Sequence, residues 1–194
     1  MIADCTAIIL AGGDSQRMGS DKASLLLGEQ TLLQRVIATM QQIFPQVIVS
    51  VRQPRPDINL PQVCDEQLNA GPLAGLVAGL SRVNTPWIFA VACDMPFVET
   101  AVVELLGNRR SYHQAVVPVV QGHPQPLAAF YASSCLPVMR ECLLKQDTSL
   151  RGVLQQLDAC YVDQTEMQDA DPRLRSFFDL DTPQDVAAAL QGVK

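Results

Sequence analysis

The chain has 194 residues, 48% of them hydrophobic, which is enough apolar material for a sizeable core and predicts a globular fold. The net charge is −6, from 20 acidic and 14 basic residues, and this balance argues against a nucleic-acid-binding surface. No apolar run reaches the roughly 20 residues of a membrane span, and the N-terminus lacks the basic start of a signal peptide. We therefore expect a cytoplasmic protein with a single domain over residues 1–194 and neither nucleic-acid nor membrane partners.

Strands and helices are predicted to alternate from the N-terminus. Apolar, β-branched runs at 6–10 and 47–51 predict two short strands. Between them Thr31 is placed to be a helix N-cap, with Gln34 three residues later as in a capping box, and Pro45 ends the helix.

The middle of the chain contains the longest continuous apolar run, at 87–93, which predicts a central strand buried on both faces. Before it, residues 63–65 predict the tip of a third strand and residues 71–80 a helix. Glycine recurs every fourth residue of this helix, at 71, 75 and 79. The recurrence places the glycines on one face, so we expect the helix to pack very close to a strand or a ligand.

The second half of the chain follows the same alternation. Helices are predicted at 98–106, 135–145 and 150–157, and strands at 115–120, 127–131 and 159–162. Thr182 is predicted to cap a last helix whose first residue is Pro183. This order predicts an α/β fold with a mostly parallel central sheet and helices on both faces, with ligands at the carboxyl ends of the strands.

The first strand leads into a glycine-rich loop, LAGGDSQRMGSDK, at residues 10–22. Glycines allow tight turns and close approach to main-chain N–H groups, which bind anions, while Arg17 and Lys22 add positive charge. Five residues separate Gly13 from Gly19 and the lysine comes three later, so the loop is neither a P-loop nor a dinucleotide-binding motif. A plain turn would need only one or two glycines; the pattern favours a nucleoside triphosphate site.

Carboxylates follow the predicted strands. Asp94 comes directly after the most buried strand, where it is placed to bind Mg²⁺ or, alternatively, to cap the next helix. Asp181 or Asp179 either supplies a second metal-binding carboxylate or simply belongs to the junction between a strand and a helix. The sequence leaves both interpretations open. Asp65 is either a hydrogen-bond acceptor for a base or ribose or a turn residue, and Arg52 is interpreted as a solvated surface charge.

Taken together, four motifs resemble one enzyme family. The loop at 10–22 is similar to the nucleotidyltransferase signature L-A-G-G-x-S-x-R-M-G-x-D-K, and GPLAG at 71–75, CDMP at 93–96 and DTP at 181–183 follow in order. Along most of its length the chain resembles the molybdenum cofactor guanylyltransferases. The resemblance implies a three-layer, Rossmann-like nucleotidyltransferase fold and transfer of GMP from GTP to the terminal phosphate of molybdopterin, with Mg²⁺, giving the guanine dinucleotide and pyrophosphate.

The resemblance also implies a set of site residues. Arg17, Lys22 and Asp94 are expected to stabilise charge during catalysis. Asp94 is also expected to bind the metal ion, and Asp181, or in its place Asp179, is the candidate for a second carboxylate. GTP and molybdopterin are the expected partners, together with transient contact with other molybdenum cofactor enzymes. The expected GTP contacts are Leu10, Ala11, Gly12, Gly13, Lys22, Ser50, Asp65, Gly71 and Asp94.

Two other functions remain open. A cytidylyl- or sugar-phosphate nucleotidyltransferase is the first, because DLD at 179–181 is similar to the cytidylyl enzymes, although LAGG and GPLAG are similar to the guanylyl enzymes. A non-catalytic GTP-binding module is the second. The simultaneous presence of Arg17, Lys22 and Asp94 argues against it, since binding alone does not require all three.

Overall fold

The fold is built on a central sheet, to which the computed structural model, describing residues 1–12, 22–64 and 71–191, assigns eight strands. Their order is β10-β7-β9-β6-β1-β4-β5, with β8 beside β7. A small separate hairpin joins β2 and β3. In chain order the strands are β1 Cys5–Leu10, β2 Leu26–Leu27, β3 Gln30–Thr31, β4 Gln46–Val51, β5 Gln62–Cys64, β6 Trp87–Ala92, β7 Ala115–Val120, β8 His123–Pro124, β9 Ala128–Ala132 and β10 Ala159–Asp163.

Helices cover both faces of the sheet, which confirms the predicted three layers. Side chains of α1, α3 and α6 contribute to the core on one face, and those of α2, α4 and α5 to the core on the other. None of the described helices combines the length and apolar character needed to cross a bilayer. The helices are α1 Leu32–Ile43, α2 Gly71–Leu80, α3 Thr100–Gly107, α4 Leu136–Leu144, α5 Leu150–Leu154, α6 Gln164–Met167 and α7 Pro183–Gln191.

The sheet is mostly parallel, as predicted, with one internal exception. The β6, β1, β4 and β5 strands pair in parallel, and so do β7 and β10. Between these groups β9 is antiparallel to both β6 and β7. A short link joins β7 to β9, and such a link allows only an antiparallel pair, since a parallel pair needs a long crossover.

The predicted central strand, β6, lies in the middle of the sheet and is buried on both faces. Side chains of Ile88 and Ala90 enter one core, and those of Phe89 and Val91 enter the other. All four are completely buried. The Phe89 ring lies 4.8 Å from that of Phe130 on β9, centroid to centroid, which ties the antiparallel strand to the middle of the sheet.

The predicted helix caps are present. The Gln34 amide donates to Thr31 Oγ1 over 3.1 Å and the Gln34 side chain accepts from the Thr31 amide over 2.9 Å, which completes the capping box of α1. At α7 the Asp185 amide donates to Thr182 Oγ1 over 3.0 Å. The four-residue helix α6 was not predicted. Asp163 caps it, but the helix is too short to show a periodic pattern in the sequence.

Candidate active site

The carboxyl ends of three neighbouring strands, β4, β1 and β6, meet at one edge of the sheet. The Ala11 amide donates to Ser50 O over 2.8 Å, and the Cys93 amide donates to Leu10 O over 3.0 Å. These bonds extend the parallel pairing one residue beyond β1 on both sides. The first residues of the glycine-rich loop are therefore held between Ser50 and the segment that carries Asp94.

Helix α2 approaches this edge unusually closely, as its glycine spacing predicts. A Cβ atom on Gly75 would lie 2.7 Å from Ser50 Oγ and 2.8 Å from Leu10 Cδ2, and one on Gly79 would lie 2.3 Å from Ile8 Cδ1. Only glycine permits these distances. Gly75 lies over the carboxyl ends of the strands and Gly79 lies farther back. The N-terminus of α2, with its partial positive charge, therefore points toward the same edge.

Lys22 lies between two carboxylates at the end of β6. Its Nζ donates to Asp94 Oδ2 over 3.3 Å and also to Asp181 Oδ1. The Asp94 side chain is 15% exposed and the Lys22 side chain 31%, whereas Asp181 is 59% exposed. The loop, the central strand and the segment before α7 thus contribute one charged group each to a single cluster. Asp94 does not cap a helix, because α3 begins after Glu99.

Burial and charge shift the pKa values in this cluster in directions set by its geometry. Burial raises the pKa of Asp94, against the opposing effect of the Lys22 charge. Desolvation alone would lower the pKa of Lys22, but hydrogen bonds and charges from Asp181 and Asp94 outweigh it and the pKa is raised. The Asp179 side chain is exposed, but neighbouring groups still remove part of its hydration. This partial desolvation, together with the charges of Asp94 and Asp181, raises the pKa of Asp179 to about 6.

The segment that carries Asp179 and Asp181 is fixed to the end of β6. The Leu180 amide donates to Asp94 O over 2.9 Å. The Leu180 side chain is buried in a small apolar cluster with Leu27 on β2 and Val186 on α7. Because both the backbone and the side chain of Leu180 are anchored, the carboxylates on either side of it stay near Lys22.

Several predicted site residues are brought together, and others lie elsewhere. Leu10, Ala11, Gly12, Ser50, Lys22 and Asp94 gather at the described edge, and Gly71, with φ +60°, begins α2. Gly13, Arg17 and Asp65 lie outside the described residues. Arg52 is exposed, as expected of a solvated surface charge, but its Nε also donates to Gly12 O over 2.7 Å, a contact with the loop that was not predicted. The available signal for this contact was an arginine directly after the end of β4, the strand that pairs with β1.

The donor atoms at this edge suit a hard divalent cation. Asp94 and Asp181 offer carboxylate oxygens, and Mg²⁺ needs only one or two carboxylates because it retains waters. In the described parts of the chain, no group of three or more His, Cys, Asp or Glu side chains forms a metal cage. The two carboxylates therefore suit a cation that keeps further, non-protein ligands. Nucleotidyltransferases of this kind generally use a divalent metal.

Comparisons with known proteins find relatives along most of this chain. A family model, the MobA-like NTP transferase domain, matches residues 7–160. The probable molybdenum cofactor guanylyltransferase of Methanosarcina mazei is 33% identical, covering 93% of this chain and 88% of that protein. The corresponding protein of Chloroflexus aggregans is 34% identical, with coverages of 93% and 91%.

The fold is also similar to that of a solved structure. Molybdopterin-guanine dinucleotide biosynthesis protein A from Archaeoglobus fulgidus aligns with a TM-score of 0.85 at 24% identity, over 97% of this chain and 98% of that chain. At that identity the likeness supports the Rossmann-like fold, and the sequence relatives support the family. The chain therefore belongs to the MobA-like NTP transferase family, among the molybdenum cofactor guanylyltransferases, and is a nucleotidyltransferase enzyme.

Proposed function

We propose that the protein transfers GMP from GTP to the terminal phosphate of molybdopterin, releasing pyrophosphate. The observation that carries this proposal is the position of Lys22 between Asp94 and Asp181 at the carboxyl ends of the strands, in a guanylyltransferase chain. The cluster joins a cation suited to phosphate with carboxylates suited to a metal ion. GTP and molybdopterin are then the substrates, and transient contact with the enzymes that deliver the pterin and a cytoplasmic location belong to the same proposal.

The nucleotide is proposed to bind between the loop and α2. Leu10, Gly12 and Ser50 line the edge that α2 approaches with its N-terminus, an arrangement that favours an anion. The Ala11 amide already donates to Ser50 O, so Ala11 is proposed to contact GTP through other atoms. Gly71 completes the described part of this site. Gly13, Arg17 and Asp65, which lie outside the described residues, keep their proposed contacts with the phosphates and the base.

The proposed chemistry is an in-line displacement. An oxygen of the acceptor phosphate forms a bond to the α-phosphorus of GTP, and the bond from that phosphorus to the oxygen bridging to the β-phosphate breaks, releasing pyrophosphate. Lys22 places a full positive charge beside the developing negative charge, which is worth most in a partly desolvated site. No side-chain nucleophile is needed, because positioning and electrostatics supply the catalysis.

Asp94 and Asp181 are proposed to hold Mg²⁺. When bound, the ion would neutralise phosphate charge and strengthen pyrophosphate as a leaving group. The role of this chain is to favour the ionised form of Asp94, which burial disfavours. Lys22 does so, because its charge opposes the effect of burial on the pKa of Asp94.

A competition assay tests both the reaction and the choice of base. Equal GTP and CTP are mixed with molybdopterin, Mg²⁺ and the protein, and the products are identified by mass. We expect the guanine dinucleotide to dominate. Guanine presents donors where cytosine presents an acceptor, and an unpaired buried group costs about 1–3 kcal/mol. A cytosine dinucleotide as the major product would overturn the guanylyl proposal, and nucleotide binding without pyrophosphate release would indicate a non-catalytic module.

A further inference from the structure

A cavity lies beside the carboxylate cluster. Its volume is about 630 Å³, and it is lined by Phe97, by residues of the 173–180 segment and by Asp185, Ala188 and Ala189 of α7. Its size is in the range of small-molecule binding sites. Asp179 and Leu180 belong to its wall, and the Leu180 amide donates to Asp94 O over 2.9 Å. The cavity wall is therefore bonded to the segment that carries Asp94 and leads directly to Asp181.

From this cavity we infer that Arg173, Arg175 and Phe178 bind the pterin acceptor, an anionic planar heterocycle. This inference rests on the proposed function and assigns a place to its second substrate. These three residues belong neither to the loop signature nor to the carboxylates that follow the strands, so the proposed function gives them no role so far.

The charges of the two arginines are available to a ligand. Within residues 1–12, 22–64 and 71–191, neither guanidinium group makes an ion pair or a hydrogen bond to another residue. By contrast, Arg109 and Arg110 pair with carboxylates. Two carboxylates also line this cavity, but that of Asp185 accepts from the Thr182 amide and hydroxyl. The two arginines outnumber the one remaining carboxylate, Asp179, and so favour an anionic ligand. Their fork of donors suits phosphate and other planar or tetrahedral anions.

Aromatic groups at the same cavity suit a planar ring. The Arg175 guanidinium lies 4.3 Å from the centroid of the Phe97 ring, a cation–π stack that orients the arginine. Phe178 is 52% exposed, whereas the neighbouring Phe177 is buried. The Phe178 ring lines the cavity and has surface available to a heterocycle. A planar ligand with negative substituents fits this combination better than a purely apolar one.

The turn that carries the arginines is held rigidly. The buried Asp171 carboxylate accepts from the Ser176 amide over 2.7 Å, and Ser176 Oγ accepts from the Glu99 amide over 3.0 Å. Glu99 follows Asp94 closely along the chain, so the turn is connected to the segment that carries the catalytic carboxylate. A ring bound at Phe178 would lie beside the 179–181 segment, whose Asp181 bonds to Lys22.

The test measures pterin binding separately from transfer. Molybdopterin, released anaerobically from a molybdoenzyme, is titrated into the full-length protein without nucleotide and followed by pterin fluorescence. Because Arg175 also packs on Phe97, the decisive variants are Arg173→Ala and Phe178→Ala, whose side chains are exposed. Arg151→Ala, on α5 on the other face of the sheet, removes the same charge and is the matched control.

We expect the Kd for molybdopterin to rise about tenfold or more in Arg173→Ala, as for loss of a charged hydrogen bond, with the Kd for GTP within about twofold of wild type. Phe178→Ala should weaken the pterin likewise, and Arg151→Ala should change neither constant. Unchanged pterin binding in Arg173→Ala and Phe178→Ala, an equal loss in Arg151→Ala, or weaker GTP binding in place of weaker pterin binding would overturn the inference. A wild-type chain that binds the pterin through these residues but transfers CMP would overturn only the proposed function.

Discussion

Replacing Lys22 with methionine removes the positive charge from the cluster and tests its electrostatics most directly. Methionine keeps the approximate length of the side chain, so the loss is chiefly one of charge. The pair with Asp94 is the better shielded, since the two side chains are 31% and 15% exposed. The pair with Asp181 is largely solvated, because that carboxylate is 59% exposed.

The magnitude follows from these exposures. A hydrogen bond to a charged group contributes about 1.5–3 kcal/mol, and partial exposure of Lys22 reduces this toward the lower end. A solvated pair contributes about 0–1 kcal/mol. We therefore expect Lys22→Met to lower the free energy of unfolding by roughly 1–2 kcal/mol at pH 7.5. Turnover should fall by about two to three orders of magnitude, as for loss of one charge-stabilising donor.

The stability loss should depend on pH in a defined direction. At pH 7.5 Lys22 is charged in both states, because its pKa is raised in the folded protein, and the carboxylates are ionised. As the pH falls through about 6, Asp179 takes up a proton, and burial also raises the pKa of Asp94, so acidification removes charge from both carboxylates. Fewer negative charges then face position 22, so the difference between variant and wild type should shrink toward pH 4.

The assay is urea unfolding followed by circular dichroism, with EDTA present, at pH 7.5 and pH 4.5. Lys145→Met is the matched control, since Lys145 forms a fully exposed pair with Glu141 and its loss should leave the unfolding midpoint unchanged. A Lys22→Met protein that is as stable as wild type at pH 7.5, or whose deficit is the same at both pH values, would refute this account of the cluster.

Three further outcomes are expected. Asp94→Asn should remove most transfer activity without changing the circular dichroism spectrum; near-normal turnover with Mg²⁺ would contradict its role as a metal ligand. Asp179→Asn should raise the metal-free melting temperature at pH 7.5, because the folded protein disfavours its charge above about pH 6, and the gain should vanish below about pH 4. Gly79→Ala should destabilise by about 1–3 kcal/mol in urea unfolding, since its Cβ would overlap the buried Ile8 side chain; an unchanged midpoint would mean that α2 moves away freely.

The sequence predicted the elements of this fold because their signals are local. The apolar run of β6, the Thr31–Gln34 capping box and the glycine spacing of α2 each lie within a few residues, and all three are confirmed. The position of β9 between β6 and β7 was not predictable in the same way. Strand order depends on which surfaces fit together after the chain folds back, and no short pattern encodes it.

The candidate site was predictable in part for the same reason. Asp94 was identified because a carboxylate at the end of a buried strand needs a partner, but that partner could not be singled out from the sequence. Lys22 precedes it by 72 residues, and Asp181 is 159 residues from Lys22. The stack of Arg175 on Phe97 was missed, although two arginines followed closely by two phenylalanines at 173–178 were an available signal.

The bond from the Leu180 amide to Asp94 O has a consequence for biosynthesis. Every strand of the sheet precedes this segment, so a nascent chain has made all its sheet-forming residues before Asp181 leaves the ribosome. Until then Lys22 and Asp94 lack their third charged neighbour, and the cavity lacks its wall. Catalytic competence should therefore appear only after the sheet-forming residues have been made, and cleavage before residue 179 should silence the enzyme while leaving the sheet assembled.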